Sequence, residues 1–279
     1  MDFSVLMSVY SKDKPEYYKV ALESITSKQV IIPNQVVIVY DGPVSIEIER
    51  ITDSEIKSNP QIEYTIIKQE KNQGLAAALN VGIEKCKYEY IARMDSDDIS
   101  VPERFKLQTE FIQDNPSVDI IGGYISEFEN DPSEDNSIRK VGLTENEIIK
   151  MAKRRTPFNH VTVMYKKKSI LSVGGYSVDF GKLEDYKLWV DLISNGYHFA
   201  NVDRILVKVR VGDGQLQRRS NKREIQDWDN LQKHLLSSRL ITKGESIVNR
   251  LAIRVFTFMP IWVKKIAYKM LLRGRLLKS

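Results

Sequence analysis

Four short runs rich in apolar and β-branched residues, at residues 3–9 (FSVLMSV), 35–40 (QVVIVY), 62–68 (IEYTIIK) and Tyr90–Met94 (YIARM), alternate with helical patterns at residues 16–27, 45–57 and Leu75–Lys85. Continuous apolar runs of that length read as strands buried on both faces. Strands alternating with helices predict a parallel sheet, with ligands bound outside the strands' C-terminal ends. Polar residues gather at those ends: Tyr10 and Ser11 after the first strand, Asp41 and Gly42 after the second, Asn72 and Gly74 after the third, and Asp95, Ser96, Asp97 and Asp98 after the fourth. Four loops are thus expected to converge on one rim.

Beyond the acidic cluster, Ser100 and Glu103 flank Pro102 in the pattern of a capping box, predicting a helix to about Asp114. Residues 127–137 (EFENDPSEDNS) are polar and turn-rich, which predicts a surface loop or a mobile lid. A second set of elements is expected: a helix near residues 145–154, a strand at 161–165, a helix over Glu184–Ser194 that opens with two acids, and a strand at 205–210. The 279 residues fit one compact domain with an appendage or two small domains, and 42% hydrophobic residues exclude a disordered chain. The single cysteine, Cys86, suits a reducing compartment. The opening MDFSVLMSVY has neither a basic n-region nor a small-residue cleavage site, so a cytosolic-facing protein is expected.

The net charge of +5 is unevenly spread, because residues 246–279 contain eight Lys and Arg and no Asp or Glu. The rest of the chain holds 34 basic against 37 acidic side chains, which disfavours nucleic acid as a partner of the body. Past Pro260, Val263, Ile266, Ala267, Met270 and Leu271 share one helical face, with Lys264, Lys265, Lys269 and Arg273 elsewhere and Trp262 and Tyr268 suited to an interface. That pattern predicts a peripheral anchor on an anionic membrane surface, the other reading being a helix that packs its apolar face on the body.

Three carboxylates within Asp95-Ser96-Asp97-Asp98 repel one another unless a cation sits among them. Hard oxygen ligands of this kind suit Mg²⁺ or Mn²⁺, which take their remaining ligands from phosphate and water, although a solvated turn with an Asp helix cap is equally compatible. Asp41 is either the Asp of an Asp-Gly turn or an acceptor for a nucleobase imide or ribose hydroxyl. Asn72-Gln73-Gly74 is either a helix cap or a place where backbone approaches a ligand. Glu184 and Asp185 either complement a helix dipole or supply a general base. His160 is either structural or in contact with substrate or metal.

Taken in order, SVY (Ser8 to Tyr10), Asp41, NQGL (Asn72 to Leu75) with Leu79-Asn80, RMDSDD (Arg93 to Asp98), PER (Pro102 to Arg104), GGY (Gly174 to Tyr176) and EDYKLW (Glu184 to Trp189) resemble the inverting family 2 glycosyltransferases of the GT-A fold. The resemblance covers about residues 1–215. It implies a Rossmann-like, nucleotide-sugar-binding mixed sheet flanked by helices, followed at 216–279 by a C-terminal helical region with the basic tail. By resemblance Asp41 would contact uracil or ribose, Asp95 the nucleotide sugar and Asp97 a Mn²⁺ or Mg²⁺ ion, with Asp185 as the base. Val9, Tyr10, Asn72, Gly74 and Arg93 would complete the nucleotide-sugar site, and His160 and Glu184 would touch acceptor or metal. The implied reaction moves one hexose (glucose, galactose or an N-acetyl form) from a UDP-sugar to a sugar on a polyprenyl diphosphate. It would serve bacterial O-antigen or capsule assembly at the cytoplasmic face of the inner membrane.

The sequence departs from the family pattern at Tyr40, where a second Asp is common, and at Gln215 to Arg219 (QLQRR), where processive members carry QxxRW. Without that Trp, and with no stretch near the about 20 apolar residues of a spanning helix, single addition is expected rather than polymerisation through a channel. Two other readings are a Mg²⁺-dependent haloacid-dehalogenase-like phosphatase with Asp95 as nucleophile, and a noncatalytic membrane-surface adaptor.

Overall fold

A computed structural model describes residues 1–133, 137–211, 222–259 and 263. The first half is a succession of strand-helix units: β1 (Phe3–Tyr10), α1 (Pro15–Ser24), β2 (Gln35–Asp41), α2 (Ile46–Ser58), β3 (Glu63–Lys68), α3 (Leu75–Lys85) and β4 (Tyr90–Met94). Next come β5 (Ile99–Ser100), α4 (Arg104–Asp114), β6 (Ile120–Phe128), β7 (Ser137–Arg139), α5 (Glu145–Ala152), β8 (Met164–Lys166), α6 (Lys167–Ser172), α7 (Glu184–Ser194) and β9 (Phe199–Arg210). Helices α8 (Lys222–Ser237) and α9 (Lys243–Phe258) follow.

Among the described residues the strands form one mixed sheet in the order β3-β2-β1-β4-β8-β6-β9-β5, with β7 also on β6. Strands β1 to β4 are mutually parallel as expected, and β8 runs antiparallel between β4 and β6. Because β9 is parallel to β6, its C-terminal end returns to the rim on which β1 to β4 end. Alternate residues of each strand feed two cores. Val5, Met7, Val36, Ile38 and Ala92 pack against Tyr18, Leu22 and Phe105 on one face. Leu6, Val37, Val39 and Ile91 pack against Leu79, Ile83, Leu188 and Trp189 on the other. Each Val, Leu, Ile, Met or Phe among them contributes about 1.5–3 kcal/mol when fully buried.

Helix starts follow local chemistry in most places. Ser45 accepts a hydrogen bond from the Ile48 amide, Pro15 opens α1, and Thr144 with Glu147 forms a capping box before α5. The capping box expected at Ser100 and Glu103 does not form: Ser100 is drawn into β5, its amide donating to Ser24 Oγ (3.0 Å), and α4 begins at Arg104 without a side-chain cap. The loop expected over residues 127–137 is shorter at both ends, with bends and turns at 129–133. Glu127 and Phe128 complete the nine-residue buried strand β6, and Ser137 begins β7, which pairs with it; residues 134–136 lie outside the described residues. The strand expected at 161–165 is shorter and later, since His160–Thr162 is a 3₁₀ turn before β8.

A third core joins the C-terminal helices to α7 through Tyr186, Val190, Leu231, Leu235 and Ile241. Helix α9 turns polar side chains inward: Ser246 is buried, the Asn249 amide donates to the Lys153 carbonyl (2.8 Å), and Arg250 and Arg254 pair with Asp229. Its outer face exposes Ile247, Val248, Leu251, Val255 and Phe258. The helix expected beyond Pro260 and the QLQRR segment at Gln215 to Arg219 lie outside the described residues, apart from the isolated Val263. Among the described residues no helix is long and apolar enough to cross a membrane.

Candidate active site

The C-terminal ends of β1, β2, β4 and β9 and the loop after β3 enclose a cavity of about 460 Å³. Tyr10, Asp41, Asn72, Gly74, Asp95 and Asp97, six of the expected site residues, line it together. Val9 and Arg93 do not: Val9 is fully buried in the core, and Arg93 lies behind the acidic loop, where its guanidinium grips both oxygens of Asp95.

Asp41 is almost wholly buried and accepts from the amides of Gln73 (2.6 Å) and Gly74 (2.9 Å), so it fastens the loop after β3 while lining the cavity. Asn72 returns a hydrogen bond to the Asp41 carbonyl (3.2 Å). Gly42, at φ +84°, is required here because a Cβ would stand 2.6 Å from the Asn72 nitrogen. The departure at Tyr40 is structural, since its hydroxyl donates to Thr52 (2.7 Å) on the side of the strand away from the cavity.

Sequence reasoning missed two contributors. Asp13, in the loop after β1, accepts from the Ser96 hydroxyl (2.6 Å) and the Tyr10 amide (3.0 Å) and adds a further carboxylate to the rim. Arg210, at the end of β9, lines the cavity, stacks on Tyr17 and Phe128, and donates its amide to Asp98 (2.9 Å). Asp13 carried a weak signal in following the SVY motif; Arg210 carried none.

The carboxylates strain against one another. Desolvation, then the charges of Asp95 and Asp13, pushes the Asp97 carboxyl up to about 6, and burial followed by Asp97 and Asp95 raises Asp98 well above the carboxylate range. A divalent cation beside Asp97 would relieve that repulsion. Among the described residues no three His, Cys, Asp or Glu side chains are grouped so as to hold a metal ion.

Glu184 and Asp185 form the first turn of α7. Burial, then the neighbouring charge of Asp185, pushes Glu184 up to about 7, and its Oε2 is buried without a hydrogen-bond partner among the described residues. Asp185 accepts from the Tyr186 amide (2.7 Å) and the Thr156 hydroxyl (3.4 Å), and burial raises it despite the opposing Arg139 and Arg93 charges. Both residues feel Arg93, and Glu184 also feels Asp95, so the start of α7 lies within electrostatic reach of the acidic loop. His160 is hydrogen-bonded through Nε2 to the Tyr176 hydroxyl (2.8 Å) beside Trp189, and burial and then Arg93 hold it neutral, well below the usual imidazole range. Asn80 brackets the Tyr176 backbone by accepting from its amide (2.8 Å) and donating to its carbonyl (2.7 Å), which ties the LN and GGY motifs to His160.

A parallel sheet with an acidic rim, closed by an antiparallel strand and a helix that opens with two acids, is the architecture of GT-A glycosyltransferases. The family model described as Glycosyl transferase family 2 matches residues 4–177, and the chain belongs to that family. The chain is 35% identical over 272 residues, 97% of this chain and 96% of the relative, to an Escherichia coli UDP-Gal:alpha-D-GlcNAc-diphosphoundecaprenol beta-1,3-galactosyltransferase. It is 37% identical over 217 residues, 78% of this chain and 79% of the relative, to the amylovoran biosynthesis glycosyltransferase AmsE of Erwinia amylovora. The fold matches S. aureus TarS residues 1–349 in complex with UDP-GlcNAc at a TM-score of 0.67 and 16% identity, covering 98% of this chain and 76% of that one.

Proposed function

We propose that this glycosyltransferase moves a single hexose, with galactose the first candidate, from a UDP-sugar to a GlcNAc on a polyprenyl diphosphate during surface-polysaccharide assembly. The observation that carries it is the convergence of Asp41, Asn72, Gly74, Asp95 and Asp97 in one cavity beside a helix opening with two acids. Similarity over nearly the whole chain to the undecaprenol-linked galactosyltransferase supports the donor and acceptor classes.

In this reading Asp41, Tyr10 and the loop Asn72 to Gly74 hold the nucleoside, and Arg93 fixes Asp95 toward the donor sugar. Asp185 takes the proton from the acceptor hydroxyl as its oxygen bonds to the anomeric carbon. The bond from that carbon to the diphosphate oxygen breaks on the opposite face, so one displacement inverts the configuration. Asp97 would hold a Mn²⁺ or Mg²⁺ ion, which would supply positive charge against the negative charge of the departing UDP. His160 and Glu184, expected to touch acceptor or metal, line neither cavity and would act through the residues beside them. The phosphatase reading loses its nucleophile, because Arg93 grips both Asp95 oxygens.

The exposed apolar face of α9 supports peripheral attachment at the cytoplasmic membrane face, together with the basic residues beyond it. Residues 1–215 are proposed as the catalytic domain, with 216–279 docking it to the lipid. The test is transfer of radiolabel from a panel of nucleotide sugars to GlcNAc-diphosphate-lipid, with the product's anomeric configuration read by NMR. UDP-galactose should label the acceptor with inversion, EDTA should abolish labelling, and Mn²⁺ should restore it. Retention of configuration, or undiminished transfer in EDTA, overturns the mechanism.

A further inference from the structure

A second cavity, of about 340 Å³, has Asp185 in its wall and shares no lining residue with the cavity at the acidic rim. Its charge is opposite in sign. Arg139, Lys140, Arg155 and Lys182 line it, and Asp185 is the sole carboxylate among its lining residues. None of the four cations forms an ion pair with a carboxylate among the described residues. Arg139 donates to the neutral Asn159 amide, and the Lys140 ammonium lies 5.4 Å from the centre of the Tyr124 ring.

We propose that this basic cavity seats the diphosphate of a lipid-linked acceptor, with Arg139, Lys140, Arg155 and Lys182 as its fixed counter-charges and Asp185 at the sugar-facing end. The inference rests on the glycosyltransferase reading and deepens it. Two diphosphates meet in such a reaction. The donor's faces carboxylates that need a metal to accept it, whereas the acceptor's meets permanent cations that need none.

Partial burial, followed by the Arg139 charge, lowers the Arg155 guanidinium from its ordinary value, the signature of desolvated like charges that an anion would relieve. The remaining wall is apolar and aromatic: Tyr186, Trp228, Ile253 and Phe256. Ile253 and Phe256 belong to α9, whose outer face exposes Leu251, Val255 and Phe258. A hydrocarbon chain leaving the diphosphate therefore has apolar surface beside it, which favours a lipid diphosphate over a free one.

The test has a binding arm and a transfer arm, both on the full chain. In EDTA and without donor, a long-chain alkyl diphosphate, the matching neutral alkyl glycoside and inorganic diphosphate are titrated into wild type, Arg155→Met/Lys182→Met and Arg155→Lys. The double variant should bind the alkyl diphosphate about 10–100-fold more weakly, the glycoside should not follow that loss, and Arg155→Lys should recover part of it. In transfer, the preference in kcat/KM for GlcNAc on a lipid diphosphate over GlcNAc on a neutral alkyl chain should collapse in the double variant, while the KM for UDP-sugar moves less than about twofold. Wild-type-like binding of the alkyl diphosphate by the double variant overturns the proposal, as does an equal loss for the neutral glycoside. Inorganic diphosphate binding as tightly as the alkyl diphosphate overturns the lipid assignment. Should wild type bind alkyl diphosphate through these residues yet transfer no sugar, the glycosyltransferase reading fails and the anion site stands.

Discussion

Glu184 and Asp185 are neighbours in sequence with different surroundings: Asp185 opens into the basic cavity, while one Glu184 oxygen is sealed without a partner among the described residues. Asp185→Asn keeps the shape but cannot take a proton, so kcat should fall by about 10²–10⁴ with donor affinity little changed. Calorimetry with UDP-sugar alongside steady-state rates checks it; lost donor affinity with normal turnover would make Asp185 a donor ligand. Glu184 gives a pH prediction. Its folded carboxyl titrates at about 7, above the ordinary 4.5, so as pH rises the unfolded chain releases its proton first. Stability is therefore fully present below about 4.5, falls between 4.5 and 7, and is level above. Glu184→Gln should raise the unfolding free energy at pH 8 by up to about 3 kcal/mol and leave it nearly unchanged at pH 4.5, as read by urea denaturation. Asp97→Ala should abolish transfer while its melting temperature holds or rises, since the mutation removes one of several repelling carboxylates.

At the scale of elements, the close approach of the β2 end to the loop before α3 depends on Gly42. Gly42→Ala adds a Cβ to a left-handed residue against backbone, so it should cost about 1–3 kcal/mol and raise the donor KM more than it lowers kcat. Chemical denaturation and donor titration check this; unchanged donor affinity would separate the loop from the nucleotide. The parallel half of the sheet was legible because burial on both faces leaves continuous apolar runs in β1, β2 and β4; β3, expected to be buried as well, is an edge strand with no fully buried residue, and β4, α3 and α7 match their sequence patterns end to end. Strand β6 was not legible. Gly122 and Gly123 occupy its middle because Cβ atoms there would meet Asn201 and Leu206, and its buried Glu127 is satisfied by Ser137, so turn-like composition conceals a central strand. The acidic rim was readable as local motifs, whereas Arg210 reaches Asp98 across 112 residues and only the fold brings them together.

For the whole molecule, α9 turns Ser246 and Asn249 toward the body beside Ile253 and Phe256 and leaves a second apolar face outside, where Phe258 is 79% exposed. Leu251→Gln with Phe258→Gln should reduce partition onto anionic vesicles by about tenfold or more without lowering the melting temperature, because neither side chain is buried in the body. Sedimentation with vesicles at low and high salt measures it, and wild-type binding by the variant would remove α9 from the membrane contact.

The return of β9 to the rim has a consequence in time. A ribosome that has released residues through Met94 has supplied the three strand-helix units and is about to supply the acidic loop, but Val209 and Arg210 are still unsynthesised. At about 5–20 residues per second that gap lasts roughly 6–20 s. Throughout it the nascent chain carries Asp97 and Asp98 without the Arg210 amide or the last wall of the cavity. In the proposed reading nucleotide capture would require the chain as far as Arg210, and fragments that stop short of Phe199 would display the acidic motif without the last wall of its chamber.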